Sequence, residues 1–393
     1  MLKKLSLAAL VAMGSMSVAS ATDLSSAIKG VDLKGALRIR LYNENPEKGD
    51  NYNKWRTNAA FIFAVPVSEN LKLVDRVSTE TYVTGGASTV TGKSANGVNS
   101  SLADNVLFAK YSKNGLTVLA GKIPVATPVT DNDLFGPPSH GAGALATYKV
   151  NDNLTVAGAF VDALVAIDGG ALKFNTKSTG ANTYAAAAIF NNDMVAAQLW
   201  YFNVDKAIDS DVVLRADIKN LPVALHVDYA TAKLDSNNVV NTLGVTNAAG
   251  NNIKKTQTYF NVNATFKQDA ICAELGYAKT GKDGGIVVLD ADSPISAVAA
   301  THQAYTIANT ADNDMVYAKL GYNVDPKTNV YAAYTVQDTS SVSEIEVGGS
   351  FKYTKKFTLS AYYSMLSADS TYTNVTGTKG DNNEARVEAL YKF

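Results

Sequence analysis

A single cysteine, Cys272, in 393 residues excludes a disulfide scaffold. Histidine is almost as scarce: His140, His226 and His302 fall neither at H-E-x-x-H nor at paired Cys/His spacing, which removes the usual zinc signatures. No G-x-S-x-G marks a nucleophile elbow. The run Gly141 to Ala146 matches a dinucleotide fingerprint in letters only, because it opens a strand and offers no helix N-terminus to a pyrophosphate. These absences argue against an enzyme. Charge is also sparse, at 18% of residues against about 25% in soluble domains. With 35 Lys+Arg against 36 Asp+Glu there is no basic excess to neutralise phosphates, so nucleic acid is not the partner. After the first residues no window approaches 18 consecutive apolar positions, which excludes helical membrane spans.

The N-terminus carries Lys3 and Lys4, an apolar and small-residue stretch from Leu5 to Val18, and Ala19-Ser20-Ala21, the pattern that signal peptidase reads. Cleavage is expected after Ala21, leaving residues 22–393 as one exported domain. Removing two lysines and no acid leaves 33 basic against 36 acidic residues, a net charge of −3.

What is abundant is alternation. Val31, Leu33, Leu37, Ile39 and Leu41 share one face of an extended segment, and Asp32, Lys34, Arg38 and Arg40 share the other. At the far end Ala385, Val387, Ala389, Tyr391 and Phe393 alternate with Glu384, Arg386, Glu388 and Lys392. A soluble sandwich would turn the apolar face inward, whereas a membrane barrel turns it to lipid and the charged face to a water-filled lumen. Loop asymmetry decides between them. Strands are expected at 31–42, 55–67, 71–83, 104–112, 116–123, 143–150, 154–164, 183–190, 194–204, 211–218, 222–232, 257–266, 270–280, 314–323, 329–338, 342–353, 357–367 and 383–393. Short polar turns such as Lys113-Asn114-Gly115 and Asn151-Asp152-Asn153 alternate with long connections at 43–54, 84–103, 124–142, 165–182, 233–256, 281–313 and 368–382.

An even count of eighteen lets the first and last strands pair antiparallel and close the sheet. Closure is obligatory in hydrocarbon, where each unpaired backbone group costs several kcal/mol. The expected fold is therefore all-β: a transmembrane antiparallel barrel of eighteen strands in the bacterial outer membrane, surrounded by outer-membrane lipid. Twenty Tyr and thirteen Phe supply aromatic girdles, with Tyr42, Tyr82, Tyr201, Tyr229, Tyr353, Tyr391 and Phe393 near strand ends. Phe393, closing an alternating strand, is expected to be the signal read by the outer-membrane assembly machinery.

Several segments also resemble a known family. Thr22 to Leu41 (TDLSSAIKGVDLKGALRIRL), Ala120 to Asp162 with its AGKIP, TDND and FVD, the stretch around Gln198-Leu199-Trp200, and Val387 to Phe393 (VEALYKF) are similar to the major outer membrane porin of Campylobacter and its relatives. The resemblance implies a homotrimeric general porin whose pore is narrowed by a folded-in loop, with a cation preference and a calcium ion near the constriction.

Pore-lining candidates follow. Arg38 and Arg40, Arg56 and Arg76 lie on three successive strands and can form a basic wall. The loop Pro124 to Ala142, with Asp131, Asp133, Gly136, Pro137 and Pro138, can fold back into the lumen as the constriction, and acids facing bases would set a transverse field that favours small hydrophilic solutes and ions. Asp131-x-Asp133 begins like a calcium loop, but Phe135 and Ala142 occupy its fifth and twelfth positions, so the EF-hand pattern fails. A calcium site would need Asp131, Asp133 and Asp168 to converge, with Asp312 and Asp314 as remote candidates. His226 is expected to hydrogen-bond Asp228 on the lumen wall. The competing reading is a surface adhesin acting through loops 233–256 and 281–313.

Overall fold

The computed structural model describes residues 30–47, 51–85, 99–135, 138–165, 182–205, 207–235, 255–285, 287–290, 292–308, 310–338, 341–369 and 380–393. The expected signal segment 1–21 and Asp168 lie outside them. Eighteen strands follow in chain order: β1 (Asp32–Pro46), β2 (Tyr52–Ser68), β3 (Leu71–Gly85), β4 (Asn99–Lys113), β5 (Leu116–Pro124), β6 (His140–Lys149), β7 (Leu154–Val165), β8 (Thr183–Asn191), β9 (Val195–Val204), β10 (Ile208–Ile218), β11 (Val223–Leu234), β12 (Thr256–Gln268), β13 (Ile271–Thr280), β14 (Asp314–Asn323), β15 (Thr328–Gln337), β16 (Val342–Lys352), β17 (Phe357–Ser367) and β18 (Asn382–Lys392). Each pairs antiparallel with its sequence neighbours. β1 also pairs with β18, from Ala36↔Lys392 to Pro46↔Asn382, so the sheet closes and leaves no edge.

The pleat sorts side chains as the alternation requires. Leu37 and Ile39 are 43% and 49% exposed, while Arg38 between them is 5% exposed. Outward aromatics form two belts. Phe160, Tyr184, Tyr201, Tyr229, Tyr334 and Tyr363 lie toward the long connections, and Tyr111, Tyr148, Phe190, Tyr322, Phe351 and Tyr391 lie toward the short turns. Tyr42 is not a girdle residue. It shares the inward face of β1 with Arg40, whose Nη1 donates to its hydroxyl at 3.1 Å.

The short turns are built by side chains that replace backbone partners. Asn151 Oδ1 accepts from the amides of Asn153 and Leu154, and Asn192 Oδ1 from those of Met194 and Val195. Asn114 (φ 48°) and Gly115 (φ 81°) take the left-handed conformations of a tight hairpin.

Two expectations are corrected. Strands β1 to β4 run 15 to 17 residues, so the connections placed at 43–54 and 84–103 shrink to 47–51 and 86–98. Polar pairs such as Asn43–Asn53 (2.9 Å) continue the first hairpin beyond the apolar alternation that marks the lipid-facing part. The connection 281–313 does not project outside. Its Val287, Val288, Leu289, Ile295 and Ile307 are fully buried against inward-facing Phe202, Val213, Ala230, Ala232, Tyr259, Met315 and Tyr317 of β9 to β14, with Val125 and Val129 in the same cluster. On the half nearer the long connections, one side of the barrel interior is therefore a packed apolar core rather than an open wall.

Candidate pore constriction

Arg38, Arg40, Arg56 and Arg76 all face the interior, because the register Arg38↔Asn58, Arg40↔Arg56 and Asn58↔Glu80 keeps them on one side of the pleat. Their charges are partly answered within the wall. Arg40 pairs with Glu388, and Arg56 Nε lies 2.6 Å from Glu80 Oε1. Arg38 donates through Nε and Nη2 to Asn58 Oδ1 at 3.2 and 3.1 Å, and its guanidinium lies 4.1 Å from the centre of the Phe135 ring.

Phe135 belongs to the loop between β5 and β6 and is buried against Ala36 and Ala60 of the opposing wall. The same loop reaches β3, where Arg76 donates to the Asp133 carbonyl and to Asn132 Oδ1 (3.5 Å). Asp131 and Asp133 share this segment. Asp131 Oδ1 accepts from the Asp133 amide at 2.9 Å, and Asp133 Oδ1 from the Phe135 amide at 3.2 Å.

The second infolded connection meets the first. Leu289 and Asp290 donate their amides to the Val129 carbonyl at 2.9 and 3.0 Å, and Ser139 Oγ donates to Asp290 Oδ2 at 2.9 Å. Asp290 and Asp292 thereby join Asp131 and Asp133 in one acidic group. Burial, with Asp290, Asp133 and Asp292 nearby, pushes the Asp131 carboxyl up from 3.8 to about 7.

Farther along, this connection is fastened to β16 through β18. Glu344 accepts from the amides of His302 (3.1 Å), Gln303 (3.1 and 3.2 Å) and Ala304 (2.7 Å) and from Ser364 Oγ (2.5 Å). Arg386 donates to His302 Nε2 at 2.9 Å, and His302 Nδ1 donates to Glu346 Oε2 at 2.7 Å.

Sequence reasoning missed Glu80, Asp290, Asp292, Glu344 and Glu388 as site residues, and also Arg386, although its place between Glu384 and Glu388 put it on the inward set. Its closeness to Tyr42 follows from the β1–β18 seam, which pairs the two residues. Among the described residues no group of three or more His, Cys, Asp or Glu side chains is placed to hold a metal ion. Asp314 faces away from the lumen, where it pairs with Lys279 at 2.9 Å and accepts from Tyr277. His226 lies on the lumen wall, 2.7 Å from both Asp228 and Asp217.

At the closing seam the Gly35 and Phe393 backbones exchange hydrogen bonds at 3.2 and 3.0 Å, and the Phe393 ring packs on Phe61 and Tyr391, each with its centre 6.0 Å away. The family described as Campylobacter major outer membrane protein matches residues 1–393, the whole chain. The chain belongs to that family. Solved structures add the fold. Acinetobacter baumannii OccAB3 superposes with a TM-score of 0.69 at 11% identity, covering 93% of this chain and 99% of that one. Pseudomonas aeruginosa OccK7 (OpdD) gives 0.67 at 15% identity, with 92% and 98% covered. OccK5 (OpdH) of the same organism gives 0.66 at 12%, with 93% and 99% covered. Comparison with curated protein sequences gives no match. A family member forming a sealed barrel in the bacterial outer membrane is a porin for the diffusion of small solutes, and family and fold together point to a channel.

Proposed function

We propose that the pore is narrowed by two connections, 125–139 and 281–313, and that selectivity is set where their carboxylates face the arginine wall of β1 to β3. The observation that supports this reading is the contact of Phe135 with Arg38 and of Asp133 with Arg76, which joins the loop between β5 and β6 to the inward faces of β1 and β3. Acids on one side and guanidinium groups on the other create a transverse field. Such a field orients dipolar solutes and disfavours apolar ones. The net charge of the mature chain and the acidic group of Asp131, Asp133, Asp290 and Asp292 support a mild cation preference. The family resemblance supports a homotrimer and a calcium ion near the constriction; Asp131 and Asp133, together with Asp168, are the carboxylates that could converge on such an ion. Phe393 would serve the assembly machinery as the residue completing the seam.

Planar-bilayer recording of the purified protein tests this. Stepwise openings in multiples of three, and a reversal potential of cation sign under a salt gradient, are expected. A closed bilayer, or an anion-selective pore, would overturn the reading. Adhesion through 281–313 loses support because that connection packs inside the barrel, and 236–254 lies outside the described residues.

A further inference from the structure

Beneath the infolded connection 281–313, on the half of the barrel nearer the short turns, the inward faces of β10 to β13 line an open cavity of about 460 Å³. Its roof is Pro294, Ala297 and Val298, and its wall mixes the apolar Ile218, Ala224 and Leu225 with polar and charged side chains. Most of that wall is internally satisfied. His226 bridges Asp217 and Asp228 at 2.7 Å each, Asn261 Nδ2 donates to Asp228 at 3.2 Å, and Tyr317 donates to Asn261 at 2.8 Å while accepting from Asn263 at 3.2 Å. Lys219 is held by Asn191 at 2.7 Å.

Two charged groups of opposite sign keep hydrogen-bonding capacity to spare. Arg215 makes no hydrogen bond among the described residues: its nearest carboxylate oxygen, on Asp228, is 3.6 Å from Nε, and Nη1 has no partner. Glu274 lines the same cavity and makes no hydrogen bond among the described residues, its nearest answering charge being Lys319, its cross-strand neighbour on β14. A half-buried guanidinium and a half-buried carboxylate on one cavity can each take a further partner, and a ligand carrying both charges would supply them.

The spacing of these groups selects the ligand. Arg215 is in register with Asp228, Asn261 and Ala278, so Glu274 lies three strands away and four residues along β13. At about 4.8 Å per strand and about 3.3 Å per residue the two Cα atoms are roughly 19 Å apart. The two side chains span about half of that, leaving on the order of 10 Å, the length of about three extended residues. A single amino acid is too short to touch both. We propose that this cavity is a binding site for zwitterionic short peptides in transit, with the terminal carboxylate on Arg215 and the terminal ammonium on Glu274. The inference rests on the porin reading and deepens it by naming a solute class.

Single-channel recording of the full-length protein, with trialanine added to each side in turn, tests the proposal. Trialanine should produce resolved current interruptions, and capping either end, as N-acetyl-trialanine or trialanine amide, should shorten them about tenfold or more, the scale of one charge-assisted hydrogen bond. In Arg215→Gln, trialanine and its amide should become equivalent. In Glu274→Gln, trialanine and its N-acetyl form should become equivalent. Capped and free peptides acting alike on the wild-type channel would overturn the proposal, as would variants that discriminate as well as wild type. Should a variant fail to insert, the capping series on the wild-type protein decides. An absence of any conductance would instead sink the porin reading, so the two failures are distinct.

Discussion

Asp131 is where a single side chain sets a measurable property. Burial and the neighbouring acids push its carboxyl up to about 7, so its charge should change around that pH. Cation over anion permeability should therefore rise between pH 6 and pH 8 in the wild-type channel and stay flat in Asp131→Asn, as read from reversal potentials. The stability sign is opposite. A carboxyl raised from 3.8 binds its proton more tightly in the folded protein, so its contribution is fully present below the unfolded value and lost as pH rises through about 7. Gly35 matters for a steric reason. A Cβ there would lie 2.7 Å from the Phe393 ring and 2.3 Å from the Ala60 carbonyl oxygen. Gly35→Ala should destabilise the seam by about 1–3 kcal/mol, the usual cost of overpacking, and lower the temperature at which the folded band is lost on gel electrophoresis.

At the scale of elements, the connection 281–313 is the least expected part of the molecule. Glu344, itself buried, ties its turn at His302 to Ala304 with backbone amide hydrogen bonds. Glu344→Gln replaces one acceptor oxygen with a donor facing those amides and should cost about 2–3 kcal/mol of that anchorage. The measurable result is increased open-channel noise with little change in barrel melting. Unchanged noise would mean that the apolar cluster alone holds the connection. The strands themselves were legible because lipid imposes a strict period: Leu37 and Ile39 outside, Arg38 and Arg40 inside. Their extensions above the membrane were not, because water accepts either face and leaves no alternation to read. The inward placement of 281–313 was illegible for another reason. Val287, Val288 and Leu289 follow no period, and the surface they cover is assembled from β9 to β14, far apart in sequence.

For the whole molecule, closure is the property on which the rest depends. Removing Phe393 deletes the residue that exchanges backbone hydrogen bonds with Gly35 and packs on Phe61. Outer-membrane insertion of the truncated chain should fall several-fold, measured by surface labelling against the full-length protein. Wild-type levels of insertion would remove the assembly role. The arginine wall was also visible in part. Arg38, Arg40, Arg56 and Arg76 are on the inward set of adjacent strands, but only closure adds Glu388 and Arg386 from β18 to that wall.

The sequence by itself determined the strand number, the outward apolar face and the short turns, because these depend on near neighbours and on the contrast between lipid and water. What the tertiary structure alone decided is the interior: which loops turn inward, which acids meet the arginines, and that Arg215 and Glu274 face one cavity beneath Val298. Those contacts join residues up to 348 positions apart, as Arg40 and Glu388 are, and no local pattern encodes a distance that exists only once the cylinder has closed.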